Sequence, residues 1–462
     1  MNGKKNFKRC LILTIILLLL GTCVTSAFGK NIKISENKTQ KSYEILETPE
    51  SFVIEGIPYV GQTLGYCAYA CFAMMLNAFE GINVSLNDVI YYTGVGYSFI
   101  YPSLEFDRIP GGGIYTSQQV EDTAFLGGLF GLNSNYWYPD TTQHSDEECW
   151  QEYWTRVKQN ISEGSAIMTS VNSLLLSSVQ SLIPFKIPNW LLKNFESAHA
   201  IVVFGYNETN QTVCYHDPMP NIVNRPECGT SQWMNISDFR KAVENTFTGS
   251  QNEGGSKYLV GAFRKKGDPL PKHEIFNKTH ARNIEKLRGN LSAYDSFVVE
   301  AHDFKNLGIN ATIAYKNHLE KGLYNRIKTI FKYKIQGKLG ISNTLKKIFL
   351  PIFAILLGYP PNSGARFYQT PFESIAIQKC YNSKFLKENK NFSNVCEYEA
   401  MLFKEEAKLW YKLGSFYSVF LRRGITLSGP RALLIITRMK NTLERIIEIE
   451  EALLNCNVNG GD

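Results

Sequence analysis

The stretch IPYVGQTLGYCAYACFAMMLNAFEG, residues 57–81, decides the fold of the first half of the chain. From Cys67 to Phe79 every position except Asn77 is apolar. A helix that is apolar on all sides is buried on all sides. We therefore expect a central core helix that begins near Cys67 and ends before Gly81, since glycine commonly ends a helix.

A second stretch, SAHAIVVFGYNETNQTVCYHDP at residues 197–218, predicts a β-hairpin. The run Ala200–Tyr206 is rich in β-branched and aromatic residues, a polar turn follows, and Thr212–His216 forms a second short run. Antiparallel pairing of these runs brings the outer ends of the hairpin together. His199 and Asp217 are therefore predicted to lie side by side.

Composition and runs of turn-forming residues predict the domains of this 462-residue chain. Its 44% hydrophobic content is enough to form a sizeable core. Residues 51–266 mix helix and strand signals and close with the strand-like run KYLVGAFRKK. The run KGDPLPK then breaks regular structure. Residues 273–456 are rich in Leu, Ile, Lys and Glu. The expected fold class is an α+β domain followed by a mostly α-helical C-terminal domain.

The first 29 residues have the order of a signal peptide, with a basic start, an apolar core and small residues before the cleavage site. A polar segment, residues 30–50, follows. We expect export to the cell surface or beyond, and an uncleaved N-terminal anchor remains the alternative. Much of the formal charge of +7 lies in this leader, so the composition gives no indication of nucleic-acid binding.

Two cysteines one helical turn apart raise the question of which thiol is reactive. A helix N-terminus and a neighbouring histidine both stabilise a thiolate. Cys67 stands where the predicted helix begins, whereas Cys71 lies a full turn inside it between apolar neighbours. Cys67 is therefore the candidate nucleophile and Cys71 a packing residue.

Three further residues complete the candidate site. His199 follows small residues that we expect to leave it accessible, so it is a candidate general base and acid. Asp217 could hold the imidazole in one tautomer. Gln62, just before the helix, could offer its amide to an oxyanion together with the backbone N–H of Cys67. The alternative for Cys67 is a structural disulfide or a buried thiol.

These motifs resemble those of the papain-like cysteine peptidases that process double-glycine leader peptides, the peptidase C39-like superfamily. The resemblance implies a papain-like fold, with Gln62 at the oxyanion position, Cys67 as nucleophile, and His199 and Asp217 as its partners. The stretch CFAMMLNAFEGINVSLNDVIYYTGVGYSFIYPS is similar to the N-terminal domain of butirosin biosynthesis protein H, an acyltransferase family. Its G-x-G-x-x-F-x-Y segment spans residues 94–101.

Together these features predict an exported cysteine hydrolase of the peptidase or amidase type. Its substrate would be a peptide or another acyl or amide compound, and a thioester intermediate would yield to water. No cofactor or metal is expected. The alternatives are acyl transfer related to butirosin protein H, and a binding module that has lost catalysis.

Two other features leave alternatives open. Outside the leader the chain has further cysteines whose pairing cannot be deduced from sequence. Cys214 and Cys228 could form a disulfide, stay as thiols or, with His216, bind zinc. Residues 321–372 contain many basic residues and an apolar run, a composition that suits either contact with an anionic membrane surface or a solvated helix face beside a buried helix.

Overall fold

The structure of the protein is a computed structural model. It describes residues 48–63, 66–97, 99–101, 115–116, 123–139, 141, 143–182, 199–246, 257–293, 306–320, 371–393, 396–423 and 429–456. The leader, almost all of the polar segment and the basic region up to residue 370 lie outside these ranges. Signal peptide, export and membrane contact therefore stay predictions.

The described strands and helices are numbered in chain order. The strands are β1 (Ser51–Val53), β2 (Phe99–Tyr101), β3 (Tyr115–Thr116), β4 (Leu132–Trp137), β5 (Ile167–Val171), β6 (His199–Asn207), β7 (Thr212–His216), β8 (Gln232–Asn235), β9 (Val260–Lys265) and β10 (Asn306–Leu307). The helices are α1 (Cys67–Asn77), α2 (Leu86–Tyr92), α3 (Thr123–Leu129), α4 (Asp146–Ser162), α5 (Ser177–Gln180), α6 (Ile236–Glu244), α7 (Lys272–Arg288), α8 (Ile309–Glu320), α9 (Pro371–Glu388), α10 (Cys396–Arg423) and α11 (Gly429–Cys456).

The described chain divides into two compact units. The first unit contains the described residues up to Val89 and those from Gly127 to Pro269. The second contains those from Ile90 to Leu126 and those from Leu270 onward. The described residues between Ile90 and Leu126 thus group with the C-terminal helices, although they lie inside the range 51–266.

The first unit is built on a seven-stranded sheet with the order β4-β9-β5-β6-β7-β8, in which β1 also pairs with β6. Every neighbouring pair is antiparallel. The predicted hairpin is confirmed as β6 and β7, with Asn207 opposite Thr212 and Val202 opposite His216. This pairing carries the chain from His199 out to the turn and back to Asp217.

Helix α1 is the central core helix that its apolar run predicts. It packs against β5, β6 and β9, and each residue from Tyr69 to Leu76 is buried. Burying one Leu, Met or Phe side chain stabilises a fold by about 1.5–3 kcal/mol, so this helix is anchored firmly to the sheet. Its first residue is Cys67, and it ends at Asn77.

Helix α4 begins at a capping box. The Ser145 hydroxyl accepts a hydrogen bond from the Glu148 backbone N–H, and the Glu148 carboxylate accepts one from the Ser145 backbone N–H in return. The hydrophobic core of this unit contains Trp150, Tyr153 and other apolar residues of α4. They pack there together with buried residues of β5, β6, β7 and α6. The α+β domain expected from the sequence is therefore observed.

The second unit is mainly helical, as expected for the C-terminal region. Helices α7 to α11 share one hydrophobic core, in which Trp410 and Tyr315 are fully buried. None of the helices in the described part of the chain is long and apolar enough to cross a membrane.

The glycines of the G-x-G segment act as packing residues of this second unit. Gly96 has a φ of +90°, and an added Cβ would lie 2.6 Å from the side-chain nitrogen of Asn382. The same amide donates to the carbonyl of Val95 over 3.0 Å. Glycine here allows a left-handed backbone and a close approach to α9.

Candidate active site

The N-terminus of α1 presents the Cys67 thiol. The residue before the helix, Tyr66, makes no side-chain capping hydrogen bond. The positive end of the helix dipole therefore lies at Cys67 without a side-chain cap. Cys67 is half-buried and Cys71 fully buried, so the two thiols differ in access as the sequence predicts.

His199 and Asp217 meet at the open end of the hairpin. The imidazole Nε2 of His199 lies 2.7 Å from Oδ1 of Asp217. Because a carboxylate oxygen only accepts, Nε2 carries the proton of this hydrogen bond. The other ring nitrogen, Nδ1, is left for the Cys67 thiol, to which His199 is also hydrogen-bonded.

The charges of this cluster stabilise one another. Burial raises the pKa of the Cys67 thiol, but hydrogen bonding to His199, the positive charge of His199 and backbone hydrogen bonds at Ala200 and Ala68 outweigh it and lower the pKa. Burial lowers the pKa of His199, whereas Asp217 and then Cys67 raise it, with a net result of about 10. These effects favour a thiolate beside an imidazolium over the neutral pair.

His199 differs from its expectation in one respect. Its side chain is 2% exposed, whereas the small residues before it predicted an accessible imidazole. The hairpin end packs into the interior instead of facing solvent. Of these two side chains, the thiol of Cys67 is the more exposed to solvent.

Asp217 is held by more donors than the sequence indicates. Its Oδ1 also accepts from the backbone N–H of Met219 over 2.8 Å, and its Oδ2 accepts from Ser178 Oγ over 2.6 Å. The Tyr59 hydroxyl donates to the Asp217 backbone carbonyl over 3.0 Å. Neither Ser178 nor Tyr59 was predicted as a site residue, because both are remote from Asp217 in the chain.

The extended segment before α1 is tied to the turn after β7. His216 Nε2 donates to the carbonyl of Ile57 over 3.1 Å, and the N–H of Gln62 donates to the carbonyl of Pro218 over 3.0 Å. The side-chain amide of Asn221 donates to the carbonyl of Gln62 over 3.1 Å. These bonds place Gln62 beside the residues that follow Asp217.

The side chain of Gln62 is 3% exposed, and its Oε1 makes no hydrogen bond within the described part of the chain. A buried amide end without a hydrogen-bond partner costs free energy. It therefore indicates a position at which a bound ligand supplies the missing partner. The two ends of an amide exchange by rotation about the last side-chain bond. Either the oxygen or the nitrogen of Gln62 can therefore face this position.

The imidazole of His216 is buried and hydrogen-bonded within the fold. It is 1% exposed, and its Nδ1 accepts from the backbone N–H of Ser231 over 2.9 Å. With Nε2 bound to Ile57, both ring nitrogens are used within the fold. Burial lowers the pKa of His216, so the imidazole is neutral near pH 7.

The cysteines of the described chain are all free thiols. Cys214 is buried and Cys228 half-buried, and no disulfide joins them. Within the described ranges, no group of three or more His, Cys, Asp and Glu side chains could hold a metal ion. The remaining free cysteines are Cys67, Cys71, Cys149, Cys380, Cys396 and Cys456.

This geometry is that of a thiol, an imidazole and a carboxylate arranged in series on an α+β fold. Residues 54–246 match the Peptidase_C39 like family, and the match spans α1 and the hairpin that carry the cluster. The similarity supports the peptidase C39-like superfamily and a cysteine hydrolase, while the resemblance to butirosin biosynthesis protein H is not confirmed. The comparison with curated proteins gave no match.

Proposed function

We propose that this protein is a cysteine hydrolase that cleaves amide or other acyl bonds. The observation that carries the proposal is the position of His199 between the Cys67 thiol and the Asp217 carboxylate. The lowered pKa of Cys67 and the raised pKa of His199 give a nucleophile and an acid in one ion pair at neutral pH. The leader supports action outside the cytoplasm.

In the proposed reaction, the Cys67 thiolate attacks the acyl carbon and forms a tetrahedral intermediate. The imidazolium of His199 gives its Nδ1 proton to the leaving amine, and a thioester remains on Cys67. Neutral His199 then takes a proton from water, which attacks the thioester and releases the acid. Asp217 keeps the imidazole oriented and stabilises its charged form.

The oxyanion of the intermediate needs donors that are already in place. The backbone N–H of Cys67, at the start of α1, is one candidate. The Gln62 amide, buried and with one end unpartnered among the described residues, is the other. Gln62 precedes the nucleophile on the segment that is tied to Pro218.

The first test is mapping of iodoacetamide labelling by mass spectrometry on the native protein, between pH 5 and pH 9. Fast labelling of Cys67 below pH 7, slowed in His199→Ala, is expected. Cys71 is the internal control, because burial raises its pKa well above the usual range and covers its sulfur. An unreactive Cys67, or equal rates in the His199 variant, would overturn the proposal.

The second test identifies the reaction. The native protein and Cys67→Ala are incubated with a peptide-amide library, and the products are weighed by mass spectrometry. Release of free acids that depends on Cys67 supports hydrolysis. Products that carry an added amine instead of water would assign acyl transfer. If Cys67 is activated but the protein turns over none of the peptides, the result would favour a binding module.

A further inference from the structure

Two neighbouring serines on α5 meet the same tyrosine but have different roles in the hydrogen-bond network. Ser178 Oγ donates to Oδ2 of Asp217 over 2.6 Å. Ser177 Oγ lies 2.7 Å from the hydroxyl of Tyr215. Ser178 therefore touches the carboxylate that holds His199, and Ser177 touches the phenol behind it.

The orientation of the Ser178 hydroxyl is fixed from two sides. Because a carboxylate only accepts, the single hydroxyl proton of Ser178 points to Asp217. The Tyr215 hydroxyl donates to the oxygen of Ser178 over 3.3 Å and accepts from the Ser178 backbone N–H over 3.2 Å. Tyr215 and Asp217 lie two residues apart at the end of β7, so their side chains lie on the same face of the sheet.

The Asp217 carboxylate is fixed by buried donors. It is 0% exposed, and it accepts hydrogen bonds from His199, from the backbone N–H of Met219 and from Ser178. Its charge raises the pKa of His199, and it also raises the pKa values of the Cys71 thiol and of the Tyr59 and Tyr215 phenols. The thiol of Cys67 acts on the same imidazole from the side of α1.

We infer that Ser178 is a positioning residue, which keeps the Asp217 carboxylate turned toward His199 and thereby helps to keep the Cys67 thiolate reactive. The inference rests on the proposed function of the Cys67–His199 pair. Ser178 acts through Asp217 and does not touch the reacting atoms.

The test compares Ser178→Ala with its matched control Ser177→Ala. The rate of Cys67 alkylation by iodoacetamide is measured from pH 4 to pH 9 on the full chain. With one donor fewer, the Asp217 carboxylate is held less firmly against His199 and gives less support to the imidazolium that stabilises the Cys67 thiolate. The acid limb of the profile is expected to move up by on the order of one pH unit in Ser178→Ala. In Ser177→Ala it stays at the wild-type position.

A double-mutant comparison separates this role from a general effect on the fold. In an Asp217→Asn background, Ser178→Ala should leave the acid limb where Asp217→Asn alone puts it, because no carboxylate remains for Ser178 to position. Equal shifts in both backgrounds would assign Ser178 a merely structural role. Ser178→Cys, whose thiol is a weaker donor, should give a smaller shift and serves if Ser178→Ala does not fold.

The two proposals fail in different ways. A wild-type Cys67 that is inert below pH 7 contradicts the proposed function itself. An activated wild-type Cys67 whose acid limb does not move in Ser178→Ala or Ser178→Cys overturns the role of Ser178 alone.

Discussion

The backbone N–H of Gln62 donates to the carbonyl oxygen of Pro218 over 3.0 Å, which ties the segment before the nucleophile helix to the residue after Asp217. Gln62 and Cys67 come from one end of the domain sequence, and His199 and Asp217 from the other. Their mutual positions therefore depend on this contact between distant segments. The predictions below test how the contact and the charges around it support the site.

Close packing at Gly61 is required for this contact. A Cβ added at Gly61 would lie 2.2 Å from Cγ of Asn221, too close for any side chain. Gly61→Ala should destabilise the fold by about 1–3 kcal/mol, the usual cost of overpacking, and slow Cys67 alkylation. Gly128→Ala is the control, because nothing lies within 4 Å of its added Cβ on α3. There alanine should stabilise the helix by up to about 1 kcal/mol. Denaturant unfolding of both variants gives the comparison, and equal stabilities would contradict it.

The pKa values of the two buried histidines of the first unit should be shifted in opposite directions from the usual histidine value. His199 has a pKa of about 10, chiefly because the carboxylate of Asp217 outweighs burial, whereas burial lowers the pKa of His216. Asp217→Asn removes the carboxylate charge, so the pKa of His199 should fall while that of His216 stays in place. NMR titration of histidine-labelled protein measures both, with His199→Ala to assign the signals. An unchanged His199 signal in Asp217→Asn would show that Asp217 does not set its charge.

Removal of the Gln62 amide should affect hydrolysis without affecting the thiolate. Gln62→Ala is expected to lower kcat by about 10²–10³, the usual effect of losing one oxyanion donor, with a small change in KM. The rate of Cys67 alkylation should remain at the wild-type value, because no oxyanion forms in that reaction. A parallel loss of alkylation would mean that Gln62 supports the segment and not the oxyanion.

The helical unit contains a buried pair of carboxyl groups with one ammonium. Lys379 Nζ lies 2.7 Å from Oε1 of Glu406, and all atoms of both side chains are buried. Glu450 is hydrogen-bonded to Glu406 and also lies 3.4 Å from the Thr312 hydroxyl. Burial and then the charge of Glu406 raise the pKa of Glu450 well above its usual range. Burial therefore favours the neutral acid form of Glu450.

The raised pKa gives a definite sign to the pH dependence of stability. A carboxyl group whose pKa is higher in the folded state supports folding fully at low pH, and that support is lost as pH rises toward the folded-state pKa. Glu450→Gln keeps the size and shape of the protonated side chain but cannot ionise. It should therefore remove the fall in the free energy of unfolding that Glu450 causes as pH rises, and raise that free energy at pH 8 relative to wild type. Glu448→Gln, exposed on the same helix, is the control. The same slope in wild type and Glu450→Gln would contradict the prediction.

Local patterns predicted the elements that carry the site. The all-round apolar run after Cys67 predicts a buried helix, and two β-rich runs around a polar turn predict the hairpin. Both signals arise within a few residues, so they need no knowledge of the remaining chain. The choice of Cys67 over Cys71 also follows from position, because only the first thiol stands at the helix N-terminus.

Other parts of the site could not be deduced in this way. Ser177 and Ser178 are neighbours in a serine-rich stretch, and sequence gives no reason to prefer either. The accessible His199 that its small neighbours predicted is buried, since the course of the hairpin end depends on what packs around it. The described residues between Ile90 and Leu126 group with the C-terminal helices for the same reason.

The sequence by itself determined the buried helix, the hairpin and the types of residue at their ends, because periodicity and turn residues act over short distances. Tertiary structure decided which ring nitrogen of His199 faces the thiol, which serine holds Asp217 and how Gln62 is fixed beside Pro218. These contacts join residues far apart in the chain. Their geometry depends on how the buried faces of helix and sheet pack, and no local pattern specifies that packing.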